Sequence, residues 1–179
     1  HDMKKIVAVT GSPKPPSQSS TVDLVVRFVD SVVSHTENVS SVYVHLSEKN
    51  ILACKGCMSC TKGGRCVHDD DMSEVRDMMH EADLLVIASP VHFNAVSSLF
   101  HGFVERLLID LHTFPLAGTP FVTITTTNGS GEEGAEKFLT RIGLLLGCVK
   151  LGAITELAND PFDEKQLSRT VDAAIHCLR

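Results

Sequence analysis

The sequence predicts a doubly wound α/β fold, a three-layer sandwich in which helices cover both faces of one five-stranded parallel sheet. Short apolar or β-branched runs alternate strictly with segments of helical spacing, in five pairs. Several of these runs are almost continuously apolar, which is typical of parallel strands buried on both faces. The chain has neither an internal repeat nor a low-complexity linker. We therefore expect a single domain over residues 3–179, with Met3 as the natural start.

The elements are predicted in chain order from their length and spacing. Five runs have the length and composition of strands: KKIVAVT at 4–10, SVYVHL at 41–46, DLLVIAS at 83–89, PFVTITT at 120–126 and VKLGAIT at 149–155. Five segments have helical spacing, and they cover residues 21–33, 72–81, 96–111, 133–146 and 163–178. Since ligands of such sheets bind beyond the carboxyl ends of the strands, we expect the functional residues in the loops that follow the strands.

Composition and charge exclude several classes of partner. The formal net charge is -6, from 16 basic and 22 acidic side chains, so no basic surface is available for nucleic acid. No apolar run approaches the roughly 20 residues that cross a bilayer. The amino terminus lacks the charged and then apolar pattern of an export signal. We therefore expect a cytoplasmic protein that binds neither nucleic acid nor membrane.

The loop after the first strand, GSPKPPSQSST at residues 11–21, is rich in hydroxyl groups. It lacks both the G-x-G-x-x-G fingerprint of dinucleotide sites and the G-K-[ST] ending of a P-loop. Its hydroxyls, its lysine and the backbone N–H groups of the following helix can enclose a phosphate monoester. The alternative is a solvated turn in which Ser20 caps the helix. Its position after the first strand favours phosphate binding.

Two further loops converge on the same edge of the predicted sheet. They are SPVHFNAVSS at residues 89–98 and TTNGSGEEG at residues 126–134. Backbone groups in both loops can contact the polar edge of a flat ring, and flavin mononucleotide (FMN) fits this layout. His92 and Phe93 are placed to touch the ring, although a surface histidine and a core phenylalanine are the simpler alternatives. From the second of these loops the candidate FMN-binding residues are Thr127, Asn128 and Gly129.

Four of the six cysteines lie within the thirteen residues CKGCMSCTKGGRC. They are Cys54, Cys57, Cys60 and Cys66. Cytosolic proteins rarely keep disulfides, so such a cluster of thiols indicates metal binding or redox chemistry. Structural zinc sites usually use two C-x-x-C pairs separated by a longer excursion, whereas the compact C-x2-C-x2-C run resembles those that hold cubane iron-sulfur clusters. The spacing favours a 4Fe-4S cluster, with zinc and redox-active thiols as alternatives.

We predict structural roles for the remaining cysteines and for the acidic run after the cysteine segment. Cys148 and Cys177 lie in apolar surroundings and are predicted to be core residues. The run Asp69-Asp70-Asp71 follows His68 and precedes a predicted helix. Acidic residues at that position are explained by capping and by the helix dipole rather than by metal binding.

The order of these motifs resembles the iron-sulfur flavoprotein branch of the NADPH-dependent FMN reductase family. The resemblance rests on GSPK and SST in the first loop, on CKGCMSCTKGGRCVHDDDM, and on EADLLVIASPVHFNAVSSLFHGFVERL, and it is most specific over residues 54–106. It implies a flavodoxin-like fold with strand order 2-1-3-4-5, a 4Fe-4S cluster on the four cysteines, and a homodimer or homotetramer. It also implies FMN-binding roles for Ser12, Lys14, Ser19, Ser20, Thr21, Pro90, Val91, His92, Phe93, Asn94, Ala95 and Val96.

Two functions are consistent with these observations. In the first, the protein is an FMN-dependent oxidoreductase that passes electrons between the cluster and the flavin and is linked to NAD(P)H or to a redox partner such as ferredoxin. In the second, it is a flavodoxin-fold binding module without flavin, whose cysteine loop holds zinc or a structural cluster. No acid-base triad is recognisable, so we assign no catalytic side chain.

Overall fold

A computed structural model describes residues 3–158 and 160–179 of the chain. Five strands form a parallel sheet in the order β2-β1-β3-β5-β6, and the short β4 pairs antiparallel with β3. The strands are β1 Lys4–Thr10, β2 Val39–His45, β3 Leu84–His92, β4 Ala95–Val96, β5 Pro120–Thr127 and β6 Val149–Leu157. With β4 set aside, the parallel strands have the predicted order 2-1-3-4-5, and the flavodoxin-like fold is confirmed.

Helices cover both faces of this sheet. They are α1 Ser20–Val33, α2 Ser59–Gly63, α3 Met72–His80, α4 Ser98–Glu105, α5 Asp110–Thr113, α6 Glu132–Leu145 and α7 Glu164–Leu178, together with 3-10 turns at Pro16–Gln18 and Leu46–Glu48. No helix within residues 3–158 and 160–179 is long and apolar enough to span a bilayer.

The sheet separates two hydrophobic cores. Successive side chains of a strand point to opposite faces. In β1, Ile6 therefore packs with α1 and α7, whereas Val7 packs with α3, α4 and α6. Both side chains are completely buried. Because both faces are covered, the runs look continuously apolar in sequence. The parallel pairing of the five strands brings their carboxyl ends to one edge of the sheet.

The predicted helix over residues 96–111 is wrong, because the chain forms β4, α4 and α5 in this region. Val96 pairs with Val91 in extended conformation, so it cannot begin a helix. Ser97 begins α4 instead, since its Oγ accepts a hydrogen bond from the N–H of Phe100. After α5 the backbone turns left-handed at Phe114, which precedes a proline that disfavours further helix.

Only one of the two predicted core cysteines is buried. Cys148 is 4% exposed, as predicted, and burial raises the pKa of its thiol to about 11. Cys177 is exposed, so the core prediction for it is wrong. On α7 the stripe facing the core includes Val171, Ala174, Ile175 and Leu178. Cys177 lies three residues after Ala174 and seven after the buried Thr170, so it is at the edge of this stripe, where its side chain is exposed.

Candidate functional site

The loops after β1, β3 and β5 enclose a cleft at the carboxyl edge of the sheet. It is lined by Ser12, Pro13, Lys14, Ser19, Ser20, Thr21, Pro90, Val91, His92, Thr126, Thr127 and Asn128. Its volume is about 170 Å³, smaller than the roughly 300–1,000 Å³ of typical ligand pockets. The cleft therefore suits one end of a ligand, with the remainder extending to its rim.

The amino terminus of α1 faces this cleft with several hydroxyl groups. Ser19 caps the helix, since its Oγ accepts a hydrogen bond from the N–H of Val22 at 3.2 Å. The expectation that Ser20 is the cap is therefore wrong, because Ser20 is already the first helical residue. Ser12, Ser19 and Thr21 are 4%, 1% and 1% exposed. All three residues line the cleft from which α1 begins, and the first N–H groups of a helix suit an anion.

Thr126 joins the end of β5 to the beginning of α1. Its Oγ1 lies 2.7 Å from Oγ1 of Thr21, and both side chains are buried. This pair fixes the position of the first helical turn relative to the sheet. Thr126 and Pro13 line the cleft, but sequence reasoning did not single them out. The available signal for Thr126 was its place at the carboxyl end of a strand.

The loop after β3 is a tight hairpin rather than an irregular segment. His92 pairs with Ala95, and the two turn residues Phe93 and Asn94 have φ angles of 50° and 60°. Bulky residues rarely adopt this left-handed conformation. Phe93 points entirely into solvent. The hairpin thereby brings His92 to the cleft while the side chain of Phe93 stays outside its lining.

The hairpin is seated against the beginning of α6. A Cβ atom on Gly134 would overlap the carbonyl oxygen of Asn94, and a Cβ atom on Gly131 would lie 2.7 Å from Cα of Asn94. Glycine at both positions therefore permits a close approach of the two backbones. Because α6 follows the loop after β5, this contact fixes two walls of the cleft relative to each other.

The cleft brings together ten of the fifteen residues that the sequence suggested for FMN. Those in its lining are Ser12, Lys14, Ser19, Ser20, Thr21, Pro90, Val91, His92, Thr127 and Asn128. Phe93, Asn94, Ala95 and Gly129 belong to the same loops but lie outside the lining. Val96 is 5% exposed and packs in the core beneath the hairpin.

A second cavity, of about 610 Å³, lies beside the cysteine loop. Cys54, Cys60 and Cys66 line it. Cys57 lies outside the lining and is exposed, and a hydrogen bond with Ser59 lowers the pKa of its thiol. The six cysteines form no disulfide. In the described part of the chain, no three His, Cys, Asp or Glu side chains are arranged to hold a single metal ion.

The donor set nevertheless suits a thiolate-ligated cluster. Three cysteines of one short loop line the same cavity, and iron-sulfur clusters are held by cysteine thiolates. Gly56 and Gly64 have φ angles of 65° and 71°, so the loop turns where only glycine does so readily. These turns allow closely spaced thiols to face a common centre.

A buried ion pair closes the base of the cysteine loop. Arg106 Nη1 lies 2.6 Å from Oδ2 of Asp70 and 2.6 Å from the carbonyl oxygen of Leu52. The side chains of Arg106 and Asp70 are 2% and 1% exposed. The hydrogen bond from Arg106 lowers the pKa of Asp70 to about 2. The pair therefore ties the residues before Cys54 to those after Cys66.

The acidic run has the structural role that its position suggested, although the details differ. Asp71 occupies the position before α3 but makes no capping hydrogen bond with its side chain. Instead, Asp70 accepts from the N–H of Met72 and Asp71 accepts from the N–H of Asn50. Arg76 and Asp110, which also meet near the cavity, were missed because they are 34 residues apart. The only signal in the sequence was a lone acid within the apolar run LLIDL.

Comparisons with known proteins identify one protein family and relatives that share a name. A family model described as NADPH-dependent FMN reductase matches residues 4–159. An iron-sulfur flavoprotein of Archaeoglobus fulgidus is 30% identical over 83% of this chain and 66% of its own length. A second iron-sulfur flavoprotein, from Methanocaldococcus jannaschii, is 30% identical over 57% of this chain and 51% of its own length. The aligned chain thus spans about one half to two thirds of these relatives.

The fold is also found among solved structures. An FMN-dependent NADH-azoreductase from Bacillus anthracis, solved in complex with FMN, superposes with a TM-score of 0.71. The superposition covers 98% of each chain at 14% sequence identity. At this level of identity the likeness concerns the fold alone.

Proposed function

Since the chain belongs to the NADPH-dependent FMN reductase family, as its motifs predicted, we propose that it is an FMN-dependent oxidoreductase that passes electrons between FMN and a 4Fe-4S cluster. One observation supports this proposal above the others. The loops that form the hydroxyl-lined cleft follow β1, β3 and β5, and the cysteine loop follows β2. Both candidate sites therefore lie at the same edge of the sheet. A flavin accepts one or two electrons and a cluster exchanges one, so the pair links two-electron and one-electron donors.

The residues of the cleft are suited to different parts of FMN. Ser19 and Thr21 present buried hydroxyls at the start of α1, and Ser12 presents one from the loop after β1. Lys14 adds a positive charge for the phosphate. His92 and Asn128 line the cleft from the other two loops, where a ring would extend. In this arrangement the chain binds and orients the cofactor, and the redox chemistry belongs to FMN.

The four loop cysteines are the proposed cluster ligands. Cys54, Cys60 and Cys66 face one cavity, and Cys57 lies between them on the same loop. The names of the relatives as iron-sulfur flavoproteins support the same assignment. NAD(P)H or a one-electron carrier protein of the ferredoxin class would supply or accept the electrons.

We further propose that the cysteine loop contacts a second copy of the chain, in a homodimer or homotetramer. Leu52, Met58 and Val67 are 44%, 46% and 56% exposed around the cysteines. Residues 52–67 contain three basic side chains and no acidic one, whereas the whole chain has a net charge of -6. A basic loop with an apolar rim therefore complements the acidic surface of another copy. Such a contact would shield the cluster from oxidants.

The cluster assignment is tested by anaerobic reconstitution, with iron, acid-labile sulfide and zinc measured together. Cys57→Ala should lose most of the bound iron and sulfide, because a cubane cluster needs all four thiolates. Cys177→Ala is the matched control, since this thiol is also exposed but lies on α7. Stoichiometric zinc without iron or sulfide in the unmodified protein would contradict the assignment and favour a structural module.

The FMN assignment is tested separately by flavin titration. Ser12→Ala combined with Thr21→Val should weaken FMN binding about tenfold or more, because each hydroxyl that meets a phosphate contributes a charge-assisted hydrogen bond. Ser17→Ala is the control, since Ser17 lies in the same loop but is exposed and outside the cleft lining. Equal affinities of the double variant and the control, or no uptake of FMN by the unmodified chain, would refute this assignment.

A further inference from the structure

Arg65, Arg76 and Arg106 line the cavity beside the cysteine loop, together with Asp69, Asp70, Asp77 and Glu105. Buried carboxylates hold two of these arginines, Arg76 and Arg106. Arg106 is paired with Asp70, as described above. Arg76 donates from Nε to Oδ2 of Asp110 at 2.9 Å and from Nη2 to Oδ1 at 2.6 Å. Asp110 is completely buried, and it does not belong to the cavity lining, whereas Arg76 does.

These contacts give each guanidinium a fixed orientation. A two-pronged pair between guanidinium and carboxylate restricts both side chains more than a single contact does. Oδ1 of Asp110 also lies 3.2 Å from Nε2 of His80, so this oxygen contacts both Arg76 and His80. The side chain of Arg76 is 23% exposed and that of Asp110 is 1% exposed. The pair is therefore a dipole with its positive end towards the cavity.

Three of the proposed ligands, Cys54, Cys60 and Cys66, line the same cavity as both arginines. Nη1 of Arg106 also donates to the carbonyl oxygen of Leu52, two residues before Cys54. Both guanidinium groups therefore share this cavity with the proposed ligands.

We propose that the guanidinium groups of Arg76 and Arg106, which we call the cationic wall, offset the carboxylates of the lining, stabilise the negative charge of a thiolate-ligated cluster in this cavity and raise its reduction potential. This proposal rests on the 4Fe-4S function proposed above. When such a cluster takes up one electron from its redox partner, its negative charge increases by one. A fixed positive charge nearby favours this reduced form, and charge near a cluster is a known determinant of its potential. Arg76 and Arg106 affect the cluster through the electric field of their guanidinium groups and without ligating it, so they are positioning residues.

The wall is first tested without any metal, in a chain whose only thiol on the cysteine loop is Cys60. Cys54, Cys57, Cys66 and Cys177 are replaced by serine. The thiol is treated with a disulfide reagent that carries two carboxylates and, separately, with an uncharged dipyridyl disulfide. The ratio of the two rates reports the local field, because ionisation of the thiol affects both rates equally. Arg76→Gln should lower the ratio roughly two- to threefold, whereas Arg76→Lys should preserve it.

The second test uses the full chain with its cluster reconstituted anaerobically. Iron and sulfide are measured first, and the reduction potential follows for every variant that holds a cluster. Arg76→Gln should lower the potential, and Arg76→Lys should leave it near that of the unmodified protein. Arg27→Gln removes one positive charge from α1, on the opposite face of the sheet, and should have no effect. Arg76→Gln leaves the buried Asp110 without its guanidinium partner, so Arg76→Gln with Asp110→Asn is the second variant. It should lower the potential by a smaller amount.

Each outcome supports or overturns one of the two proposals. The cationic wall would be overturned if the rate ratio and the potential were unchanged in Arg76→Gln and in Arg76→Gln with Asp110→Asn. A fall in the reduction potential that is equally large in Arg27→Gln would also overturn it, because the effect would then reflect the total charge of the protein. If no variant takes up iron and sulfide, the 4Fe-4S function fails. The rate ratio of the metal-free chain then still decides whether the wall exists.

Discussion

Asp70 connects the stability of the molecule to pH through one buried carboxylate. Its pKa is about 2 in the folded chain, against an ordinary value of 3.8. The pKa is lowered on folding, so the stabilisation is complete above pH 4 and disappears as the pH falls from about 4 to 2. The difference in pKa corresponds to about 2 kcal/mol. Above that range, the ion pair with Arg106 holds both ends of the cysteine loop.

We expect Asp70→Asn to lower the free energy of unfolding by about 3 kcal/mol at neutral pH, because it leaves Arg106 buried without its partner. The difference from the unmodified protein should shrink by about 2 kcal/mol between pH 4 and pH 2, where Asp70 becomes protonated. Urea unfolding of the metal-free protein across this range measures both quantities. Asp69→Asn, at the exposed neighbouring position, should show neither effect. A constant difference from pH 6 to pH 2 would contradict the role of Asp70 ionisation.

At the level of elements, the contact between the β3–β4 hairpin and α6 decides the shape of the cleft. We expect Gly134→Ala to cost about 1–3 kcal/mol of stability, since the new methyl group overlaps the backbone of Asn94. It should also weaken FMN binding, because His92 moves with the hairpin. Gly102→Ala is the matched control in another helix, where no atom lies within 4 Å of the added Cβ. That change should raise stability by about 0.5–1 kcal/mol and leave FMN affinity unchanged, as thermal unfolding and flavin titration would show.

The sequence pattern was sufficient for the long elements and insufficient for the short ones. Alternating runs of strand and helix length placed the five parallel strands, and the position of each loop followed from strand direction. β4 has two residues, too few to show any periodicity, so Val96 was assigned to the following helix. Asp110 was assigned to the same helix, because nothing in its local sequence reveals a partner 34 residues away. Local patterns carry no information on such distant pairs.

At the level of the whole molecule, the two candidate sites use different parts of one architecture. The sheet brings the loops after β1, β3 and β5 together, so the cleft was largely predictable from topology. The cysteine loop was found from spacing alone. Its cavity was not, because α3, α4 and the turn after α4 complete it through Arg76, Glu105 and Arg106. Tertiary packing supplied the charged wall that the motif does not contain.

Association of subunits through the cysteine loop is the prediction that concerns the whole molecule. Sedimentation of the cluster-loaded protein at micromolar concentration should show at least a dimer. Leu52→Ser with Val67→Ser should shift it towards the monomer, because burial of these two side chains would contribute a few kcal/mol to an interface. Leu144→Ser with Leu145→Ser is the matched control, since these residues are 55% and 46% exposed at the end of α6. The basic residues of the loop also make the contact sensitive to salt, so the dimer should weaken as ionic strength rises. A cluster-loaded protein that sediments as a monomer, or a control pair that dissociates it equally, would show that the loop is not the interface.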